Sequence, residues 1–327
     1  MQDLRSRCSW LMLALAGGLG MGQSRVSAPV AGLVFDGSLQ TLRPINGIVG
    51  TARLGTPLDL GFQAGLAVVS PRQDYTLATD AASGEMRLLR FRPDGISAAG
   101  ISGAMNSPDR FVLSPAGRSA ALYSASSARI QVIRGLLQAP GPAVEMAGWP
   151  GSLTALAVND DGSFGLAAFF DGSAGMLVRF SERGAMPVWT GGRVPAIVFL
   201  PNGRDAVAAD ATANVVFLIR NVADAPETVP LAGASDGIDG PVAVAASRDG
   251  LRVFAASAGS HSVVVIDLAG GQRTRLDCDC MPAGLTPLAA DVFQLTGIPG
   301  DTLWLLDATP AGSRLVFVAR EKAGNAR

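Results

Sequence analysis

The feature that most constrains this chain is that it repeats itself. Five segments align without gaps: TDAASGEMRLLRF (79–91), YSASSARIQVIRG (123–135), FFDGSAGMLVRFS (169–181), AADATANVVFLIR (208–220) and ASAGSHSVVVIDL (256–268). Their fifth column always carries a hydroxyl, at Ser83, Ser127, Ser173, Thr212 and Ser260, separated by 44, 46, 39 and 48 residues. Upstream of each lies a matching piece, VVSPRQDYTLA, VLSPAGRSAALY, AVNDDGSFGLAA, VFLPNGRDAVAA or AASRDGLRVFAA. Each piece is a β-run, a Pro- or Gly-containing turn and a second β-run, the signature of a hairpin. The third run continues into a fourth, as in VVVIDLAGGQRTRLDC (263–278). Four short strands at a period near 44 predict the blade of a β-propeller. A parallel solenoid wants a shorter period, and an immunoglobulin-like sandwich does not repeat five times.

Composition agrees with an all-β chain. Forty glycines and twenty prolines supply turns, and 48% hydrophobic against 16% charged residues is too apolar for disorder. The net charge of −1, with no basic cluster interleaved with aromatics, argues against a nucleic-acid partner.

At the ends, MQDLRSRCSWLMLALAGGLGMGQSRVSAPV has the layout of a secretory signal peptide: basic residues, a short apolar run, small residues. We expect residues 1–28 to form it, with cleavage between 22 and 28. An uncleaved membrane helix is the alternative, although the run is shorter than the roughly 20 residues a span needs. Cys8 precedes the apolar run, which argues against a lipid-acceptor role, and Cys278 and Cys280 would remain in the mature protein. A single propeller domain is expected over 29–320, with blades at about 29–63, 64–105, 110–148, 153–190, 195–233, 241–280 and 284–320 and a tail at 321–327. Six blades with an N-terminal clasp is the alternative count. The mature chain is expected to be exported to the periplasm or beyond, without a membrane span, as a monomer.

The segment RVFAASAGSHSVVVIDLAGGQ resembles the repeat of the YVTN β-propeller proteins: a strand, a small Gly/Ser/Asn turn, and a Val-rich strand ending in Ile-Asp. The match is best over 247–271 and fainter in the other units. The resemblance implies a secreted or surface-exposed propeller of bacterial or archaeal type, more often a binding or scaffolding module than an enzyme. Related lactonase-like and quinoprotein propellers include enzymes, and fold likeness alone does not choose among them.

Candidate chemistry is sparse. His261, the sole histidine, is a conceivable general base or metal ligand, but its column otherwise holds Gly84, Ala128, Ala174 and Ala213. That column places no visible demand on a histidine, and a solvated loop residue is the favoured reading. Asp80, Asp171 and Asp210 sit beside equivalent loops of successive units and could converge at one mouth as metal ligands or as acid and base. Turn capping is the commoner role for such residues. Cys278 and Cys280, two apart, admit a disulfide, free thiols or a weak metal site; on an extended strand their Cα atoms would lie roughly 6.5 to 7 Å apart. The expected function is a binding or scaffold module for a protein, polysaccharide or other envelope ligand, with no cofactor. A propeller hydrolase or lactonase, with acidic residues and a divalent metal at the channel mouth, is the alternative.

Overall fold

A computed structural model describes residues 30–92, 95–147, 149–298, 303–309 and 312–320. The expected signal peptide with Cys8 and the tail at 321–327 lie outside the described residues. Two strand groups belong to the ends of the chain. The first is β1 (Val30–Asp36), β2 (Thr41–Asn46) and β3 (Arg53–Leu54). Five four-stranded antiparallel meanders follow it. They are β4 (Ala64–Val69), β5 (Tyr75–Asp80), β6 (Met86–Arg92) and β7 (Gly95–Gly100); then β8 (Arg110–Leu113), β9 (Ala120–Ser124), β10 (Arg129–Arg134) and β11 (Gly141–Ala147). Next come β12 (Ser152–Val158), β13 (Phe164–Phe170), β14 (Gly175–Ser181) and β15 (Gly184–Gly191); β16 (Ala196–Phe199), β17 (Ala206–Asp210), β18 (Val215–Arg220) and β19 (Glu227–Ala232); and β20 (Pro241–Ala246), β21 (Arg252–Ser257), β22 (Ser262–Asp267) and β23 (Arg273–Asp277). The last group is β24 (Thr286–Pro287), β25 (Val292–Gln294), β26 (Leu303–Asp307) and β27 (Arg314–Arg320). One short 3-10 turn, Ala234–Asp236, is the sole helical element among the described residues.

The architecture is the all-β, propeller-type arrangement that the repeat predicts. The end units, expected as separate blades, share one seven-stranded sheet, because β27 pairs in parallel with β3 through Ala319 opposite Arg53. The N-terminal unit has only three strands, so its outer edge is left unpaired. β27 supplies hydrogen-bond partners to that edge and ties the two ends of the described chain together.

The core lies between sheets rather than within one. Seven apolar clusters each join two consecutive strand groups: Phe199 and Phe217 pack on Leu166 and Leu177, for example, and Leu288 and Leu305 pack on Val34 and Ile45. The remaining clusters follow in chain order and return to the start, so the layers form a closed cycle. Second strands are sandwiched on both faces, which explains why β5, β9 and β17 are buried along their whole length and why β17 reads AVAAD, small and apolar. Each large side chain in these layers contributes about 1.5–3 kcal/mol by leaving water. Outer strands such as β7 are mostly exposed.

The hairpin turn between first and second strands recurs as one device. The buried Ser114 Oγ accepts from Arg118 N (3.0 Å) and Ser119 N (3.1 Å), and Ser70 and Ser247 act alike. The turn's fourth residue adopts a left-handed backbone, as at Gly250 (φ 71°), and Gln73 bears the same conformation (φ 61°). Hydrogen bonds then cross between sheets: Tyr75 Oη donates to Gly117 O (2.5 Å), Ser119 Oγ to Asn159 O (2.6 Å) and Thr154 Oγ1 to Val194 O (2.6 Å). Burial pushes the Tyr75 hydroxyl far above its ordinary pKa, so it stays a donor.

Candidate functional site

In each meander the turn from first to second strand lies at one end of the ring, and the loop from second to third strand at the other. The residues singled out in the sequence all sit at the second end, and each carboxylate holds its own loop. Asp80 Oδ1 accepts from Ala82 N (2.9 Å) and Ser83 N (3.3 Å), while Oδ2 pairs with Arg87 (2.8 Å). Those backbone bonds, led by Ala82, hold its carboxyl below the usual range. Asp171 Oδ1 accepts from Ala174 N, Ser173 N and Ser173 Oγ, each at 2.8 Å, which pulls its pKa down to about 2. Asp210 is buried; its Oδ1 accepts from Thr212 N (2.8 Å) and Ala213 N (3.0 Å), and its Oδ2 from Gly192 N (3.0 Å) in the preceding connection. These are Asx turns, in which the carboxylate replaces water as acceptor for loop N–H groups. The hydroxyl column behaves likewise: Thr212 Oγ1 accepts from Arg193 N (3.0 Å) and Ser260 Oγ donates to Gly237 O (2.9 Å).

His261 is exposed, and its Nδ1 lies 3.0 Å from Cys280 O. The backbone adds a requirement of conformation, though not of a histidine, in three of the five loops. His261 has φ 50°, and its counterparts Gly84 and Ala128 have φ 74° and 50°, so these three loops place a left-handed residue there, whereas Ala174 and Ala213 are not left-handed. Gly84 in that column was the sequence signal for this requirement. Cys278 and Cys280 form a disulfide with a Cα–Cα distance of 5.0 Å. The distance is shorter than on an extended strand because β23 ends at Asp277 and the chain turns, with Cys278 N donating to His261 O (2.8 Å). The described residues contain no group of three His, Cys, Asp or Glu placed to hold a metal ion.

A different site lies on the axis. Three consecutive residues from each of β1, β4, β8, β12, β16 and β20, together with Leu285–Leu288 around β24, line one cavity of about 530 Å³. None of Asp80, Asp171, Asp210 and His261 is among them. The strand residues facing it are overwhelmingly aliphatic or aromatic, from Leu33 and Phe35 through Leu113 and Ile197 to Ala246. Polar groups are few: Thr286 on β24 and its pairing partner Gln294 on β25, and, at the end where first and second strands turn, the buried Ser114 and Ser247 with Arg248 and Asp291. Arg248 and Asp291 are the only charged residues in the described lining.

The turns explain this rim. Immediately after Ser70, Ser114, Asn159, Leu200 and Ser247, which share one position of the turn, the repeats place Pro71, Pro115, Asp160, Pro201 and Arg248. Three prolines shape a low apolar collar, and Asp160 turns aside to accept from Ala116 N (2.7 Å). Arg248 breaks the pattern. Its Nη2 donates to Pro71 O (3.0 Å), 177 positions away in chain number. The sheets carrying these residues are separated round the ring by the two end groups, so the side chain crosses the mouth rather than following its rim. Arg248 stands out against proline in the turn column as His261 does against glycine and alanine in the loop column, and this exception, visible in the sequence, was the signal for the axial rim.

No protein-family model matches the chain, and no curated protein matches it. Solved structures do. A functionally unknown protein from Desulfotomaculum acetoxidans is similar over 89% of this chain and 99% of its own, with a TM-score of 0.60 at 13% identity. Hydrazine synthase from Kuenenia stuttgartiensis is similar over 91% of this chain and 99% of the matched chain, with a TM-score of 0.53 at 13% identity. At such identity the likeness is one of fold. No helix among the described residues is long and apolar enough to cross a membrane.

Proposed function

We propose that this chain is an exported, seven-bladed propeller that binds its ligand at the ring axis without catalysing a reaction. The observation that carries this reading is the axial cavity. Its volume falls in the 300–1,000 Å³ range of small-ligand sites, and its pattern, apolar walls with a few polar groups, is the one such sites use. Seven lining segments and seven inter-sheet layers support the count of seven over six. The Cys278–Cys280 disulfide supports an oxidising compartment, in line with the export signal in the sequence. Membership of the YVTN group rests on residues 247–271 alone and is part of the proposal. The hydrolase alternative would need Asp80, Asp171 and Asp210 at one mouth, whereas each commits its Oδ1 to its own loop and none lines the cavity. The ligand is accordingly an apolar group presented to the axis, and not a glycan gripped by a ring of carboxylates.

The test is a fluorescence titration with the neutral apolar probe N-phenyl-1-naphthylamine. The wild-type chain should show one saturable site, and Ala246→Phe, which fills the cavity from β20, should lose it while keeping its melting temperature within a few degrees. No saturable binding by the wild type, or equal binding by a folded Ala246→Phe, would overturn the axial site.

A further inference from the structure

We infer that the axial site selects an amphipathic monoanion, an aliphatic carboxylate whose chain fills the cavity and whose head group meets Arg248. This rests on the axial-binding reading above and adds the chemical class. The walls dictate the body of the ligand, because any polar atom placed against Leu33, Phe35, Leu113 or Ile197 would lose its hydrogen bonds to water without replacement. The rim dictates the head.

Arg248 is the sole cation in the described lining and makes no ion pair there; among the described residues its side chain donates only to the neutral Pro71 carbonyl. A guanidinium has five N–H donors in a planar fork, so four remain to take a carboxylate at the mouth. The one anion in the described lining is already engaged. Asp291 Oδ1 accepts from Arg248 N (2.9 Å), and its Oδ2 pairs with Arg252 Nη2 (3.5 Å). Asp291 thus positions the turn and leaves the guanidinium unpaired; with Arg252 balancing Asp291, Arg248 offers one positive charge, which matches a monoanion better than a dianion such as a phosphate monoester. Because Arg248 spans the mouth, a carboxylate bound to it lies over the cavity, with its aliphatic chain directed inward. A cationic amphiphile would meet the guanidinium with like charge.

Calorimetric titration with octanoate, 1-octanol and octylamine, at neutral pH and below micelle-forming concentrations, separates head from body. Octanoate should bind about ten- to a hundredfold more tightly than octanol, the range expected of a charge-assisted hydrogen-bonded pair. Octylamine should bind more weakly than both. Arg248→Gln, which keeps a donor and removes the charge, should lower octanoate affinity to that of octanol and leave octanol unchanged, and raised salt should erode only the octanoate preference. Equal binding of octanoate and octanol, a preference for the amine, or an octanoate preference that survives Arg248→Gln would overturn the anionic head while leaving the axial site standing. If none of the three binds and the naphthylamine probe also fails, the axial reading itself falls.

Discussion

The two ends of the ring use polar residues in opposite ways. At the end that carries Asp80, Asp171 and Asp210, every one of these carboxylates faces inward on its own loop, accepting two or more hydrogen bonds from backbone N–H groups or a neighbouring hydroxyl. At the other end, the turns are capped from within by buried Ser70, Ser114 and Ser247, and this frees the next residue to face the axis. After Ser70 and Ser114 that residue is proline, and after Ser247 it is Arg248, whose charge no partner in the lining balances. A rich set of charged side chains therefore marks local structure, and a single charge set against apolar walls marks a place for a ligand. Chemical reactivity of residue type is a poor guide where the residue's hydrogen bonds are already spent.

The sharpest way to break this comparison is Asp210→Ala. Its carboxylate is buried and serves three N–H groups, two in its own loop and Gly192 N in the connection before it. Removing a buried charged acceptor from these three donors, which lie at or near the surface, should cost about 1–3 kcal/mol. A urea titration should show the lower midpoint, with naphthylamine affinity unchanged in the folded protein. Loss of axial binding without loss of stability would place Asp210 in the site and undo the division between the two ends.

A smaller effect follows from acid. Asp171, pulled to about 2, and Asp80, also lowered, both titrate below the ordinary carboxylate value of 3.8 in the folded chain. Since the folded pKa lies below the unfolded one, the unfolded state binds more protons between them, and the contribution of these loops is complete above about pH 4. It is lost as pH falls from about 4 towards 2. Melting temperature against pH should decline over that window, and Asp171→Asn should be less stable at neutral pH and flatter below 4. An unchanged slope in Asp171→Asn would mean that its Asx turn contributes nothing to stability.

The four-stranded unit was legible because its period-two apolar runs and turn residues recur five times, and repetition separates pattern from accident. The union of the end groups was not. β3 is two residues long, and its partner β27 comes from the opposite end of the described chain, paired in parallel, so no local pattern announces it. The cavity was half legible: aliphatic first strands were plain in VVS, VLS and VFL, but their convergence on one axis depends on closure of the ring. Arg248 was visible in the sequence as an exception among prolines, while its crossing to Pro71 required the fold.

His261 offers the smallest and most discriminating contrast. A histidine conserving a catalytic or metal-binding role should not tolerate removal of its ring, whereas a histidine that only fills a left-handed turn should. In His261→Gly two effects oppose each other. The glycine relieves a non-glycine residue at φ 50°, a strain of roughly 1–2 kcal/mol. It also loses the exposed Nδ1 contact to Cys280 O and adds about 0.5–1 kcal/mol of unfolded-chain entropy. The sum should lie within about 0.5 kcal/mol of zero, because Gly84 holds the same position in a sister loop with φ 74°. Denaturant midpoints and octanoate affinity should therefore both match the wild type. If octanoate affinity falls in a variant of unchanged stability, the ligand reaches the His261 end of the ring, and the two ends are not divided as their hydrogen bonding implies.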